Sequence, residues 1–185
     1  MKDLKVIHNY LESQATACFK ILYDRYFGKI YAKCISILKD EVVAQDATQE
    51  IFTKIFLNLS RFKEQARFST WVYSITYNYC IDHIRRKKKQ KDLFAEDVDQ
   101  LPDLAEEEIS DKIILEIELN ELASVLEHLP DSDRMVLLMK YQDRMSIKEI
   151  SEIIEKTESA VKMKIKRAKA KAQQTRAALF PQILT

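Results

Sequence analysis

The chain has 185 residues, of which 46% are hydrophobic, and its formal net charge is +1. That length suits one medium domain or two small ones, and the apolar content is sufficient for a packed core. One Gly and three Pro are far fewer than β-hairpins and sheet bulges require. The composition therefore argues against β-rich folds and predicts an all-α protein.

The distribution of Cys and His argues against catalytic and metal-binding chemistry. The three Cys and three His lie far apart, and no CxxC spacing occurs. We therefore expect three reduced thiols in a cytoplasmic protein, with no metal site, no cofactor and no enzymatic activity. No segment approaches the roughly 18 apolar residues of a membrane-spanning helix, so membrane insertion is not expected.

Three helices are predicted in the first half of the chain. Apolar residues recur at intervals of three and four from Ala15 to Leu38, and a second stripe of this kind runs from Glu41 to Leu59. A polar break at residues 60–67 precedes a third helix from about Ser69 to Lys88. These elements predict a small domain of three to four helices over residues 1–90.

Residues 91–112 have the composition of a linker. They contain Pro102, few large apolar residues and a high density of acidic side chains, whose mutual repulsion is expected to keep the segment extended. The apolar spacing of a helix returns after this segment, stops at Pro130 and resumes directly after it. A second small helical domain is therefore predicted over residues 113–185.

The small net charge is the sum of three opposed blocks. Residues 61–91 hold nine Lys and Arg against two acidic residues, which gives +7. Residues 92–121 hold twelve acidic residues against one Lys, which gives −11, and residues 156–176 hold eight basic residues against one acidic residue, which gives +7. Two basic blocks separated by an acidic one predict two polyanion-binding surfaces.

The first basic block contains a cluster of aromatic residues. Five aromatic residues precede the cations that begin at Arg85: Phe68, Trp71, Tyr73, Tyr77 and Tyr79. Aromatic rings stack on unpaired bases and cations neutralise phosphates, so this combination is typical of a surface for single-stranded nucleic acid. A buried amphipathic helix with a solvated basic end would have the same pattern.

The second basic block follows the pattern of a helix-turn-helix. Ser146 and Glu149 have the spacing of a capping box at the start of a short helix, and Thr157 is a suitable N-cap for the next one. The turn has Glu155 or Lys156 where Gly is common. A non-Gly residue there costs about 1 kcal/mol if the left-handed conformation is kept.

The second helix of this pair has two distinct sides. Val161, Ile165, Ala168 and Ala172 share the predicted buried side, whereas Ser159, Met163, Lys166 and Ala170 lie opposite, flanked by Lys162 and Arg167. The outer strip is slender and cationic, which suits the major groove of duplex DNA. A solvated charged face is the alternative interpretation.

In their order along nearly the whole chain, these motifs resemble the extracytoplasmic-function (ECF) group of the sigma-70 family of bacterial RNA polymerase sigma factors. The part similar to region two comprises DATQEIF at 46–52, FSTWVYSI at 68–75, Asn78 and DHIRR at 82–86. The part similar to region four comprises LP at 129–130, VLL at 136–138, Tyr141, EISEI at 149–153, VK at 161–162 and RA at 167–168. The order of these motifs around an acidic linker is highly specific.

The resemblance implies a sigma factor that binds core RNA polymerase, reads a −35 duplex and melts the −10 element of a promoter. The implied partners are the β′ coiled coil and the β flap of the polymerase, promoter DNA and an anti-sigma factor. The implied polymerase contacts are Asp46, Gln49, Glu50 and Thr53. The implied −10 contacts are Lys63, Ser69, Thr70, Tyr73, Tyr77, Asn78, Arg85, Arg86 and Lys87, and the −35 contacts are Ser159, Lys162, Met163, Lys166 and Arg167.

The third predicted helix must divide its aromatic residues between the core and DNA. Trp71, Ile75, Asn78 and Asp82 share one side by spacing, and we expect Trp71 and Ile75 to face the core. The candidates left to read an opened strand are Ser69, Thr70, Tyr73, Tyr77 and Asn78.

Two other functions compete with a sigma factor. A helix-turn-helix regulator that works without polymerase would use residues 131–176 and should bind a specific duplex tightly by itself. A protein for single-stranded DNA or RNA would use only the first domain and should bind single strands without residues 131–176.

Overall fold

The computed structural model describes residues 2–88 and 119–181. All regular elements in these two ranges are helices, in agreement with the predicted all-α class. The chain divides into two compact units, Met1–Lys91 and Asp92–Thr185. The acidic segment at residues 91–112 lies outside the described residues, so its extended conformation stays a prediction.

Four helices form the described part of the first unit. Helix α1 spans Asp3–Ser13, α2 Thr16–Leu38, α3 Glu41–Asn58 and α4 Phe68–Lys88, and a single 3-10 turn occupies Leu59–Arg61. The predicted helices correspond to α2, α3 and α4. Asp40 begins α3 because its carboxylate accepts a hydrogen bond from the Val43 N–H at 3.0 Å.

Helix α2 packs against α1, α3 and α4 and so forms the centre of the first unit. Its buried side carries Leu22, Tyr26, Ile30, Lys33, Cys34 and Ile37. Burial of each Leu or Ile side chain contributes roughly 1.5–3 kcal/mol. Cys34 and Cys80 are buried free thiols, and Cys18 is half-buried.

Helix α1 is absent from the predicted elements. Its Val6, Ile7 and Tyr10 are buried, and their spacing is the sequence signal that identifies the helix. The Asp3 carboxylate ties α1 to α2, since it accepts hydrogen bonds from Arg25 and from the Tyr26 hydroxyl, each at 2.6 Å. Burial and the hydrogen bond to Asp3 raise the pKa of Tyr26.

The described part of the second unit also contains four helices. Helix α5 spans Leu119–His128, α6 Asp131–Leu137, α7 Ile147–Ile154 and α8 Glu158–Leu179, and a π-helical turn at Leu138–Gln142 continues α6. The predicted interruption at Pro130 is confirmed. Helices α5, α6 and α7 all contact α8, which is therefore the central helix of this unit.

A buried ionic cluster joins α6 to α8. Asp133 is 0% exposed, and its two carboxylate oxygens lie 2.8 Å from Lys164 Nζ and 2.9 Å from Lys171 Nζ. Lys164 also donates a hydrogen bond to the Ser132 hydroxyl at 2.9 Å. Burial, with repulsion from Lys171 and Arg167, lowers the pKa of Lys164 to about 7. The Asp133 carboxylate acts in the opposite direction by stabilising the cation.

Local side-chain bonds define the turn between α7 and α8. The capping box is present: the Ser146 hydroxyl accepts from the Glu149 N–H at 3.2 Å, and the Glu149 carboxylate accepts from the Ser146 N–H at 2.7 Å. Thr157 caps α8 by accepting from the Ala160 N–H. Glu155 has a φ of 59°, so the turn keeps the left-handed conformation without Gly.

We expect Ser146→Ala to lower the free energy of unfolding of the second unit by about 1 kcal/mol, because one N-terminal N–H of α7 loses its acceptor. Far-UV circular dichroism during urea unfolding measures this change. Ser159→Ala is the control, since Ser159 is exposed on α8. Equal stability of the two variants would contradict the contribution assigned to the capping box.

Candidate nucleic-acid interface

Helix α4 has the opposite orientation to the predicted one. Trp71, Ile75 and Asn78 do share a side, but that side faces outward: Asn78 is exposed and the other two are partly exposed. The buried side carries Phe68, Val72, Thr76, Tyr77, Cys80, Ile81 and Ile84. The expectation that Trp71 and Ile75 face the core is wrong, because Val72 and Tyr77 fill that space.

Tyr77 is therefore removed from the candidate DNA contacts. Its side chain is 0% exposed, and Lys33 of α2, itself only 6% exposed, places Nζ 5.7 Å from the centre of the Tyr77 ring. The same nitrogen lies 4.4 Å from the centre of the Tyr73 ring. A desolvated cation–π contact contributes about 2 kcal/mol, so both rings are held towards α2. Tyr73 stays partly exposed and remains a candidate.

The loop at residues 62–67 precedes α4 and presents its polar residues to solvent. Lys63 is exposed in this loop, while Ser69 and Thr70 are partly exposed in the first turn of α4. The loop is anchored at its base, where the ring centre of Phe62 lies 5.3 Å from that of Phe68 and 5.5 Å from that of Trp71. The loop, the start of α4 and Asn78 thus form the exposed polar part of the predicted −10 surface.

The three predicted cations at the end of α4 differ in availability. Arg85 is partly buried, with Nη1 3.8 Å from the Asp82 carboxylate. Arg86 is exposed and donates to the Asp82 backbone carbonyl, and Lys87 is exposed. Arg86 and Lys87 can follow a phosphate backbone with less rearrangement than Arg85.

The outer side of α8 matches the predicted one at most positions. Ser159, Lys162 and Met163 are exposed, with Met163 at 44%, and Lys166 and Arg167 are partly exposed. Val161, Ile165, Ala168 and Ala172 are buried as predicted. Ala170, placed on the outer side by spacing, is buried instead.

Only part of the second basic block is available to a polyanion. Lys164 and Lys171 are paired with Asp133, and Arg176 donates to the Glu121 carboxylate at 2.8 Å. Lys169 is buried. The cations that extend from the outer strip are Lys162 and Lys166, with Arg167 at its edge. The net charge of a block therefore overstates its capacity for phosphate contacts.

A third exposed surface runs along α3. The predicted polymerase contacts, Asp46, Gln49, Glu50 and Thr53, are all exposed on the side opposite the buried Ala47, Ile51 and Ile55. The same side extends by four residues in each direction to Val42, 69% exposed, and Leu57, 68% exposed. These two apolar side chains were absent from the predicted set, although the helical period identifies them.

Glu50 connects this surface to α4. Its carboxylate accepts a hydrogen bond from the Tyr79 hydroxyl, and burial together with this bond raises the pKa of Tyr79. Lys54 Nζ lies 5.4 Å from the centre of the same ring. Of the four predicted polymerase contacts, Glu50 is therefore the one whose side chain already bonds α4, and Asp46, Gln49 and Thr53 are the better positions for testing the surface.

The comparison with known proteins assigns each unit to a family region. Residues 22–90 match the family described as Sigma-70 region 2, and residues 119–171 match Sigma-70, region 4. The ECF RNA polymerase sigma factor SigW of Bacillus subtilis (strain 168) is 33% identical over 160 residues, which cover 82% of this chain and 84% of SigW. The chain belongs to the ECF group of RNA polymerase sigma factors.

A second relative is also similar in sequence, and two solved structures share the fold. SigM of the same organism is 25% identical over 149 residues, which cover 80% of this sigma factor and 88% of SigM. CnrH, solved in complex with the cytosolic domain of CnrY, has the same fold, with a TM-score of 0.60, 21% identity and coverage of 95% of this chain and 97% of CnrH. RpoE of Bartonella quintana, solved with the anti-sigma factor NepR, gives a TM-score of 0.59 at 16% identity, covering 85% and 95% of the two chains.

The described residues also bear on membrane insertion and metal binding. Among the helices within residues 2–88 and 119–181, none is long and apolar enough to cross a membrane. In the same ranges, no group of three or more His, Cys, Asp or Glu side chains could hold a metal ion. Sigma factors as a family are generally non-enzymatic.

Proposed function

We propose that this sigma factor directs RNA polymerase to a defined set of promoters by means of three surfaces on two domains. Residues 1–90 bind polymerase through α3 and the opened −10 strand through α4 and its preceding loop. Residues 113–185 bind the −35 duplex through α8, and residues 91–112 link the domains. The observation that carries the proposal is the outer side of α8, a slender strip with Lys162, Met163 and Lys166 extended from it.

The outer strip of α8 has suitable chemistry for the major groove. Lys162 and Lys166 can reach phosphates or the acceptors of guanine, and Met163 can contact a thymine methyl group. Ser159 at the start of the helix offers a hydroxyl close to the α8 N-terminus, where N–H groups favour phosphate. Contacts on both units with one promoter also reinforce each other, since the second contact forms within a single complex.

The −10 element requires different chemistry because its bases must leave the stack. Unstacking costs a few kcal/mol, which new contacts with the displaced base must offset. Asn78 offers both a donor and an acceptor to a base edge, and Ser69 and Thr70 offer hydroxyls. Lys63, Arg86 and Lys87 neutralise the phosphates of the same strand, with Arg85 after release from Asp82.

The polymerase supplies the chemistry in this proposal, and the sigma factor has no catalytic residues. Its polymerase partners are the β′ coiled coil, at α3, and the β flap, at the second unit, which places it in the cytoplasm. The solved complexes of CnrH with CnrY and of RpoE with NepR support an anti-sigma factor as a further partner.

Run-off transcription with core polymerase on genomic fragments tests this function. We expect transcripts to start from a defined subset of fragments only when the chain is added. A polymerase-independent regulator would instead bind a specific duplex tightly by itself and would start no transcripts.

Lys162→Ala and Lys166→Ala should each weaken binding of the holoenzyme to a promoter duplex found in this way. Each lost phosphate contact should reduce the slope of log K against log salt by about 0.9. Fluorescence anisotropy at several salt concentrations measures the slope. Lys20→Ala, which removes an exposed charge from α2, is the matched control. An unchanged slope in both α8 variants would mean that this side of α8 makes no phosphate contacts.

A further inference from the structure

Helix α1 lies outside the matched family region, yet it is firmly attached to the first unit. The region-two match begins at residue 22, whereas α1 ends at Ser13. Val6, Ile7 and Tyr10 are buried, and Asp3 bonds both Arg25 and Tyr26 of α2. Helix α1 is therefore held in a fixed position against α2, beside the matched region.

His8, an exposed residue of α1, contacts the loop that precedes α4. His8 Nε2 lies 2.6 Å from the Glu64 carboxylate, across 56 positions of sequence. Within residues 63–67, all of which the structure describes, this is the one polar contact made by a side chain. All five residues are exposed. The base of the loop is packed through Phe62, so His8 is the contact that holds its tip.

Glu64 has two properties that make such a contact useful. Its φ is 57°, a left-handed conformation that a non-Gly residue adopts at a cost and that a partner can stabilise. It is also the one acidic residue among positions 61–70, which contain Arg61, Lys63 and Arg67. An unpaired carboxylate at this position would repel the phosphates of a bound strand.

We propose that His8 is a positioning residue for promoter recognition. By bonding Glu64, it holds the tip of the loop in one conformation and keeps the Glu64 carboxylate away from the strand, so that Lys63, Ser69 and Thr70 meet the −10 element preorganised. The inference deepens the proposed function and rests on it, because it requires the loop to contact the promoter.

The expected effect is moderate and local. An exposed contact between two polar side chains shifts a conformational equilibrium by at most about fivefold. The midpoint of thermal unfolding should therefore hardly change in His8→Ala, whereas the equilibrium constant for ordering the loop should fall by about two- to fivefold. An ordered loop lowers the entropy cost of binding the opened −10 strand, so its loss should slow the formation of the open complex.

The test compares three single variants of the full chain. His8→Ala removes the contact, and His8→Gln retains a nitrogen donor at a similar reach. Asn9→Ala changes the neighbouring exposed residue on α1 and is the matched control. Hydrogen exchange of the amides at residues 63–67 reports loop order in the free chain. The rate of open-complex formation by each holoenzyme, at a promoter found by run-off transcription and at single-base variants of its −10 element, reports recognition.

We expect His8→Ala to speed loop exchange and to slow open-complex formation by about two- to fivefold, with weaker discrimination between the −10 variants, while His8→Gln restores most of both. A double-mutant cycle with Glu64→Ala should show that the two changes are not additive. If the wild-type holoenzyme transcribes but His8→Ala behaves like Asn9→Ala in either measurement, the inference is overturned and the proposed function still holds. If the wild-type holoenzyme starts no transcripts, the proposed function itself has failed, and the inference fails with it.

Discussion

Asp133→Asn should lower the free energy of unfolding of the second unit by about 3 kcal/mol or more, the largest effect on stability that we expect from a single substitution. The substitution preserves shape but removes the charge between Lys164 and Lys171, at 2.8 and 2.9 Å. Breaking a buried ion pair leaves an uncompensated charge in a medium of low polarity. Burial already lowers the pKa of Lys164 to about 7, so this side chain can lose its proton in the variant. That loss of charge limits the decrease in the free energy of unfolding.

The two units allow this prediction to be measured separately from general destabilisation. Trp71, the single Trp, lies in the first unit, so its fluorescence reports unfolding of that unit alone. Far-UV circular dichroism monitors the helices of both units during urea unfolding. In Asp133→Asn we expect the second unit to unfold at a lower urea concentration than in the wild type, whereas the transition reported by Trp71 fluorescence should stay unchanged. Glu152→Gln removes a charge at an exposed position of α7 and is the control. Asp133→Asn and Glu152→Gln of equal stability would refute a stabilising role for the cluster.

The double substitution Asp46→Ala with Gln49→Ala should weaken binding to core RNA polymerase by about 30-fold or more, because one central interface residue that a partner covers fully contributes roughly 2 kcal/mol, which is about 30-fold, and two such contributions need not add. Both side chains are exposed on α3 between Val42 and Leu57. In the free chain they lie outside the core, so stability should change by less than about 0.5 kcal/mol.

Competition between labelled wild type and each variant for core polymerase measures this affinity. Glu12→Ala, an exposed acidic position on α1, is the matched control and should bind like the wild type. Leu57→Ser tests the apolar extension of the surface and should also weaken binding. Unchanged affinity in the double variant would exclude this side of α3 as the polymerase contact.

Most helix boundaries could be predicted because local interactions determine them. Asp40, Ser146 and Thr157 each cap a helix by accepting from an N–H three residues later, a bond that depends only on neighbouring sequence. Pro130 separates α5 from α6 because its ring lacks an N–H. The exposed side of α8 was predictable at most positions, because Val161, Ile165, Ala168 and Ala172 recur at the helical period and are buried together. Ala170 is the exception, since the same period placed it on the outer side.

The sequence by itself thus determined the all-α class, most helix limits, the family and the outer strip of α8. The tertiary structure decided which way α4 faces, because α4 carries apolar or aromatic residues on both sides and spacing shows only which of them lie together. Packing of Val72 and Tyr77 against the first-unit core, with Lys33 against the Tyr77 ring, turned Trp71 outward. It also decided which cations are available, since Lys164 and Lys171 pair with an aspartate more than thirty positions away. Such pairs depend on distances that only the folded chain establishes.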